Sequence, residues 1–357
     1  MLDDLLAVLR SGERFFLTTH LSPDGDALGS QIALGRFLQK QGKEVAMVNC
    51  DGPPYNLEWM PGIDDVEVYD SSLHQHEALA EADAAIVLDT NGEERLGKLG
   101  PMVRNSTATK VLIDHHQQPE QWFDLMYLRT DAAAVGELIY EIIEATDPSL
   151  IDAEIATGLY TAMMTDTGSF RYSNVTPQVH RAVADILERG GVEPAPIHEN
   201  IFDRKSMAGL RLLGRMLNRI RLHYDGQVAY SIVTQRMVRE TNASWDDKRG
   251  FVNYVLAIEG VKAALLFSET NDGAKISFRS EADVHVDAWA RSFDGGGHQN
   301  ASGAYVKKPF EEAIEAVIEA APRYLDLDPA GPGTGNGLTQ EDASYLETLL
   351  KMKDKNH

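Results

Sequence analysis

The sequence predicts an α/β protein in which an N-terminal parallel-sheet domain is followed by a smaller α+β domain. Two observations carry this reading. Short apolar runs of strand length, at 15–19, 45–48, 84–88 and 111–113, alternate with helical stretches such as 27–41, which is the pattern of βαβ units in a parallel sheet. Several of these runs also end abruptly in polar groups, at Thr19-His20, Leu88-Asp89 and Ile113-Asp114-His115-His116. Open α/β sheets bind ligands at the carboxyl ends of their strands, so such a sheet would gather these side chains in one crevice.

Further along, 138–144 and 154–164 carry apolar residues at three- and four-residue spacing and read as helices, the second ending at Asp166-Thr167-Gly168. Gly190-Gly191, with Pro194 and Pro196 after it, then breaks the pattern and closes a first domain spanning 1–190. Residues 191–222 read as a linker that contains a helix at 210–220. Strands are expected at 228–233, 263–267 and 275–279, with turns at Asp225-Gly226 and Asn271-Asp272-Gly273, giving a second domain over 223–325. Beyond it, 326–357 reads as a flexible linker, rich in proline and glycine at 328–337, and a short amphipathic helix at 340–351. That helix could pack on the body or on a second copy in a homodimer.

At 357 residues the chain is long enough for two cores, and 43% hydrophobic with 25% charged residues is a folded rather than a disordered composition. The single cysteine, Cys50, excludes a disulfide framework and reads as an incidental thiol in a reducing compartment. Met1-Leu2-Asp3-Asp4 lacks the basic region of a secretory signal, and no stretch approaches the ~20 apolar residues of a membrane span. The expected location is the cytoplasm, with no membrane partner. A net charge of −22 would repel a polyanion, but the charge is uneven. Residues 1–194 hold 13 Lys+Arg against 32 Asp+Glu, whereas 195–310 hold 16 against 13. Any polyanionic substrate would be gripped by that later, net-basic block.

The sharpest motif is His20-Leu21-Ser22-Pro23-Asp24-Gly25-Asp26-Ala27-Leu28-Gly29-Ser30, on a strand-to-helix turn. Pro23 and Gly25 shape a tight loop, and Asp26 is expected at the helix N-cap. Capping accounts for one acid but not for His20, Asp24 and Asp26 together, which favour a metal site. With Asp89, Asp114, His115 and His116 at neighbouring strand ends, Asp24 and Asp26 would bring at least four negative charges into one cleft, a costly arrangement unless divalent cations compensate. In the second domain three glycines before His298, with Arg279 on a preceding strand, suggest a phosphate cradle. His74 and His76 read as surface residues and Met163-Met164 as helix packing. Trp245 leaves a base-stacking role open, and Arg171 could contact phosphate or form a salt bridge.

In this order the motifs resemble the DHH phosphoesterase family: His20-x-x-Pro23-Asp24-x-Asp26, Asp89, Asp114-His115-His116, and Asp166 within Thr165-Asp166-Thr167-Gly168-Ser169-Phe170. The resemblance implies two divalent ions, one held by His20 and Asp24, the other by Asp26, His115 and Asp166, with Asp89 bridging both. It also implies a catalytic set of His116, facing the reacting phosphate, Asp89, and Asp114, orienting its neighbours. Manganese is the usual ion of the family, and magnesium or cobalt suit the same oxygen and imidazole ligands. Ile276-Ser277-Phe278-Arg279-Ser280 and Gly295-Gly296-Gly297-His298-Gln299-Asn300-Ala301-Ser302-Gly303 are similar to the DHH-associated C-terminal domain. That likeness implies an active site in the interdomain cleft and substrate contacts from Arg279, Gly296, Gly297, His298 and Asn300, joined by Arg171. The two-domain architecture resembles the nanoRNase and pAp phosphatase group, which implies hydrolysis of short RNA or DNA oligonucleotides and linear dinucleotides to mononucleotides, and of pAp to AMP. A cyclic-dinucleotide phosphodiesterase is the first alternative expectation and a non-catalytic nucleotide sensor the second.

Overall fold

The computed structural model describes residues 1–281 and 284–325; the linker and helix expected within 326–357 lie outside the described residues. The chain forms two compact units, divided between Arg204 and Lys205.

The first unit is built on six parallel strands: β1 (Arg14–Thr19), β2 (Glu44–Asn49), β3 (Val66–Val68), β4 (Ala84–Leu88), β5 (Thr109–Asp114) and β6 (Leu125–Leu128). Their order is β3-β2-β1-β4-β5-β6. The order reverses between β1 and β4, and that switch point is where a doubly wound sheet opens a crevice beyond its carboxyl edge. Both faces of the sheet are covered, which is why its central strands are continuous apolar runs rather than alternating ones. Phe15, Leu17, Ile86 and Ile113 face the helices Gly25–Lys40, Val135–Glu144 and Ala153–Asp166. Phe16, Val87 and Leu112 face Leu79, Leu99 and Val103 on the other side.

At the carboxyl edge a buried polar network fixes the strand ends. Asn49 accepts from the Thr19 amide at 3.0 Å and exchanges bonds with Gln31, while the Thr19 hydroxyl donates to the Leu88 carbonyl at 2.8 Å. These bonds hold β1, β2 and β4 in register where the chain leaves the sheet.

One expectation is corrected here. The N-cap of helix Gly25–Lys40 is Asp24, whose carboxylate accepts from the amides of Asp26 and Ala27. Asp26 lies inside the first turn and is fully buried. Two acids bracket the helix start, and only the extended backbone of Asp24 aims its side chain at the orphan amides.

The second unit carries a mixed six-stranded sheet: β7 (Arg221–His223), β8 (Val228–Val233), β9 (Ala263–Glu269), β10 (Ala274–Ser280), β11 (Gly296–His298) and β12 (Ala301–Val306). The order is β11-β12-β10-β9-β8-β7, with only the β8–β9 pair parallel. Leu265, Phe267, Ile276 and Phe278 pack on Trp289 and Val317, whereas Ala264 and Leu266 pack on Leu212, Met216 and Val255.

Helices Gly25–Lys40 and Ala153–Asp166 touch through their backbones. A Cβ on Gly29 would lie 2.3 Å from the Gly158 carbonyl oxygen, and one on Gly158 would lie 2.7 Å from that of Gly29. Forcing such a contact apart costs about 1–3 kcal/mol. Gly158→Ala is therefore expected to destabilise the first unit by that amount in chemical denaturation followed by circular dichroism. Unchanged stability would show that the helices part without cost.

Candidate metal centre

The sheet delivers the chemistry to its carboxyl edge at the switch point. His20 follows β1, Asp89 follows β4, and Asp114 closes β5 with His115 and His116 directly after it. Asp24 and Asp26 start one buried helix, and Asp166 ends the helix packed against it. Asp89 turns the chain out of β4 at φ +58°, a left-handed backbone that aspartate tolerates better than a β-branched residue would.

Each imidazole is oriented by its own Nδ1. That of His20 bonds the Leu21 carbonyl at 2.8 Å, so Nε2 faces Asp89 Oδ2 at 3.4 Å and Asp24 Oδ1 at 3.9 Å. His115 Nδ1 bonds the Ala132 carbonyl at 3.0 Å, and its Nε2 lies 3.4 Å from Asp166, 3.6 Å from Asp89 and 3.9 Å from Asp26. His116 Nδ1 sits on Asp114 Oδ1 at 2.8 Å. Asp26 is fixed by the amides of Val135 at 2.6 Å and Gly136 at 2.9 Å and by the Ser30 hydroxyl at 2.9 Å. These partners of Asp26 carry little sequence signal, because two of the three are main-chain groups more than a hundred residues away.

Ligand atoms of His20, Asp24 and Asp89 lie within 4.8 Å of one another, as do those of Asp26, His115 and Asp166, and those of Asp89, Asp114 and His116. The carboxylates are electrostatically strained. Burial, reinforced by Asp89 and Asp166, pushes Asp26 well up, and burial with Asp89 lifts Asp166 to about 7. Burial by itself would lower the imidazoles, but the hydrogen bond to Asp89 overcomes it and raises His20 to about 9 and His115 as well. Asp89 is held low because His115 and His20 outweigh its own burial. Burial and mutual repulsion thus work against joint ionisation of Asp26 and Asp166, a cost that divalent cations would offset, and the clustered nitrogen and oxygen donors fit metal ions.

Outside this centre, His74 and His76 are exposed, His76 resting 3.3 Å from the Tyr69 hydroxyl, and Met163 and Met164 are fully buried in their helix. Arg171 is exposed and its Nε donates to the Gly168 carbonyl at 2.7 Å. Trp245 is 41% exposed, with the Lys248 ammonium 6.0 Å from its ring.

In the second unit Gly296 and Gly297 do not form a loop. With His298 they make the edge strand β11, paired to β12. Gly297 is required sterically: it sits at φ +136°, and a methyl group there would lie 2.6 Å from the Ala301 carbonyl oxygen, whereas nothing lies within 4 Å of such a methyl on Gly296. The Asn300 amide is spent on Ser280, Glu281 and Val284 and ties the hairpin to the end of β10. Arg279, on β10 beside this hairpin, makes no ion pair among the described residues. Its Nη1 donates to the Phe278 carbonyl and its buried Nε has no hydrogen-bond partner.

Comparison with known proteins places the two units in a family. A model of the DHH family, N-terminal domain, matches residues 14–163, and a model of the DHHA1 domain matches 225–326. The Thermus thermophilus protein named bifunctional oligoribonuclease and PAP phosphatase NrnA is 31% identical over 311 residues, 87% of this chain and 90% of that protein. Its Bacillus subtilis namesake is 25% identical, covering 86% and 93%. The crystal structure of an exopolyphosphatase-related protein from Bacteroides fragilis is 30% identical with a TM-score of 0.85, over 90% of this chain and 96% of that one. RecJ from Thermus thermophilus in complex with Mn²⁺, at 14% identity and a TM-score of 0.53, covers 91% of this chain and 55% of its own and shares the fold. The chain therefore belongs to the DHH family of phosphoesterases, in the form that carries a DHHA1 domain after the DHH domain.

Proposed function

We propose that this phosphoesterase uses two divalent ions, manganese foremost with magnesium or cobalt as substitutes, to hydrolyse short oligonucleotides and linear dinucleotides to mononucleotides and pAp to AMP in the cytoplasm. The observation that carries the reading is the paired donor sets, His20 with Asp24 and Asp26 with His115 and Asp166, that converge on Asp89 from either side. The names of the NrnA relatives support the substrate class. Ions bound there would supply Lewis acidity toward a phosphoryl oxygen and lower the pKa of attacking water.

The chain's own residues do the rest. Asp114 fixes the His116 ring through Nδ1, so Nε2 is the atom that donates to the phosphoryl or leaving oxygen. Burial tends to strip His116 of its proton, but Asp114 prevails and raises its pKa, which keeps that proton available. Asp89 would bridge the two ions. In the second unit, Arg279, His298 and the backbone of Gly296 and Gly297, open at Gly296, hold the non-scissile phosphate. The unpartnered Arg279 Nε supports this, because a half-buried guanidinium without a carboxylate suits an anionic ligand. Arg171 completes the substrate contacts in this reading, while the Asn300 amide, held by Ser280, Glu281 and Val284, shapes the hairpin and does not touch substrate.

Asp89→Ala is expected to abolish hydrolysis of a 5′-phosphorylated dinucleotide in Mn²⁺ and to lower metal content, with far-ultraviolet circular dichroism unchanged, while His74→Ala retains full turnover. Wild-type turnover and metal content in Asp89→Ala would reject the bridging role. For Arg279→Ala and His298→Ala, loss of a charge-assisted hydrogen bond worth roughly 1.5–3 kcal/mol predicts a fall of about 10- to 100-fold in kcat/KM on dinucleotides and pAp. A small activated diester should be hydrolysed almost normally by both variants, with metal content unchanged. Equal losses on both substrates would reject the phosphate-holding role. A product profile across pAp, dinucleotides, a 24-mer and cyclic di-AMP sets the substrate class, and preference for the cyclic dinucleotide would favour that alternative activity.

A further inference from the structure

Asp26, His115 and Asp166 come from three distant segments, yet all are tied to the five residues 132–136. The Ala132 carbonyl orients His115, and the amides of Val135 and Gly136 hold Asp26. Between these anchors the Ala133 residue is gripped on both sides. Its N–H donates to Glu137 Oε2 at 2.8 Å, and its carbonyl accepts from Asn174 Nδ2 at 3.0 Å. The same Nδ2 donates to the main-chain carbonyl of Asp166 at 3.1 Å, so one amide joins the third ligand to the frame that already holds the other two.

Local structure explains how Asn174 arrives there. Helix Ala153–Asp166 ends at the ligand itself, leaving the Asp166 carbonyl without an intrahelical donor. Gly168, Ser169 and Phe170 then run at φ +56°, +61° and +61°, a left-handed turn that is unfavourable for phenylalanine and brings the chain back beneath the helix end. The Asn174 Oδ1 is buried without a hydrogen-bond partner. The amide is thus committed to donation, and a buried acceptor is left unmet to achieve it.

We propose that Asn174 is a positioning residue for the centre formed by Asp26, His115 and Asp166, setting the place of Asp166 relative to the other two ligands. This rests on the two-ion reading above. Partners of metal ligands that lie one bond further out typically affect affinity or activity by roughly 10- to 100-fold. Loss of the Asn174 donor should therefore weaken one ion and leave the ion at His20, Asp24 and Asp89 untouched.

Titration of the metal-free full-length protein with Mn²⁺ alone, followed by calorimetry, tests it. Wild type should bind two ions. In Asn174→Ala one of them should bind about 10- to 100-fold more weakly, and the lost kcat should return at saturating Mn²⁺ with little change in KM. Asn174→Asp, which keeps the side-chain shape and removes the donor, gives the same readout should the alanine variant fail to fold. Two unchanged affinities in a folded variant, or a lost kcat that excess Mn²⁺ does not restore, would overturn the positioning role. A wild-type protein that binds a single ion would instead reject the two-ion reading.

Discussion

The crowding of carboxylates at the switch point of the first sheet is the constraint on which the rest of the molecule depends. Asp26, Asp89 and Asp114 are essentially buried beside Asp24 and Asp166, an arrangement that water would not stabilise and that only opposite charge can. The scaffold answers with fixed donors, namely main-chain amides on Asp26, imidazoles on Asp89, and ring nitrogens anchored to carbonyls so that the second nitrogen of each faces inward. The buried Thr19–Asn49–Gln31 network serves the same end one layer below, because strand ends that slid would carry His20 and Asp89 with them.

Much of this was legible in the sequence, for a physical reason. A strand buried on both faces must be apolar throughout, so its last residue is marked by an abrupt change to His or Asp, and the candidate site residues coincide with that change. The first unit's short outer strands gave weaker signals. Val66–Val68 is three residues long and Leu125–Leu128 four, too few for alternation to show. Asp24 and Asp26 were both visible as acids at a helix start, but which one caps is decided by backbone angles that the side-chain types do not encode. The glycine run before His298 was recognisable as special, yet its pairing as an edge strand depends on β12, whose own signal is diluted by small residues. Asn174 lay beyond reach, since its partners are carbonyls that every residue possesses.

The two units differ in how they treat charge. In the first, acids converge inward and are compensated locally. In the second, the net-basic block holds an arginine that no described carboxylate neutralises, next to a hairpin that leaves open space at Gly296. A net-acidic chain thus carries a locally basic block, so its overall charge does not by itself set the field at that block.

The contact between Gly29 and Gly158 bears on precision as well as on packing. One helix carries Asp26 at its start and the other Asp166 at its end, so the gap between those carboxylates is inherited from the distance between two helix axes. Where side chains separate helices, that distance fluctuates as rotamers interconvert. Two bare backbones in contact have no alternative rotamers to visit. The spacing of the two carboxylates is thereby set by main chain against main chain, a gauge that side-chain repacking in the surrounding core does not reach.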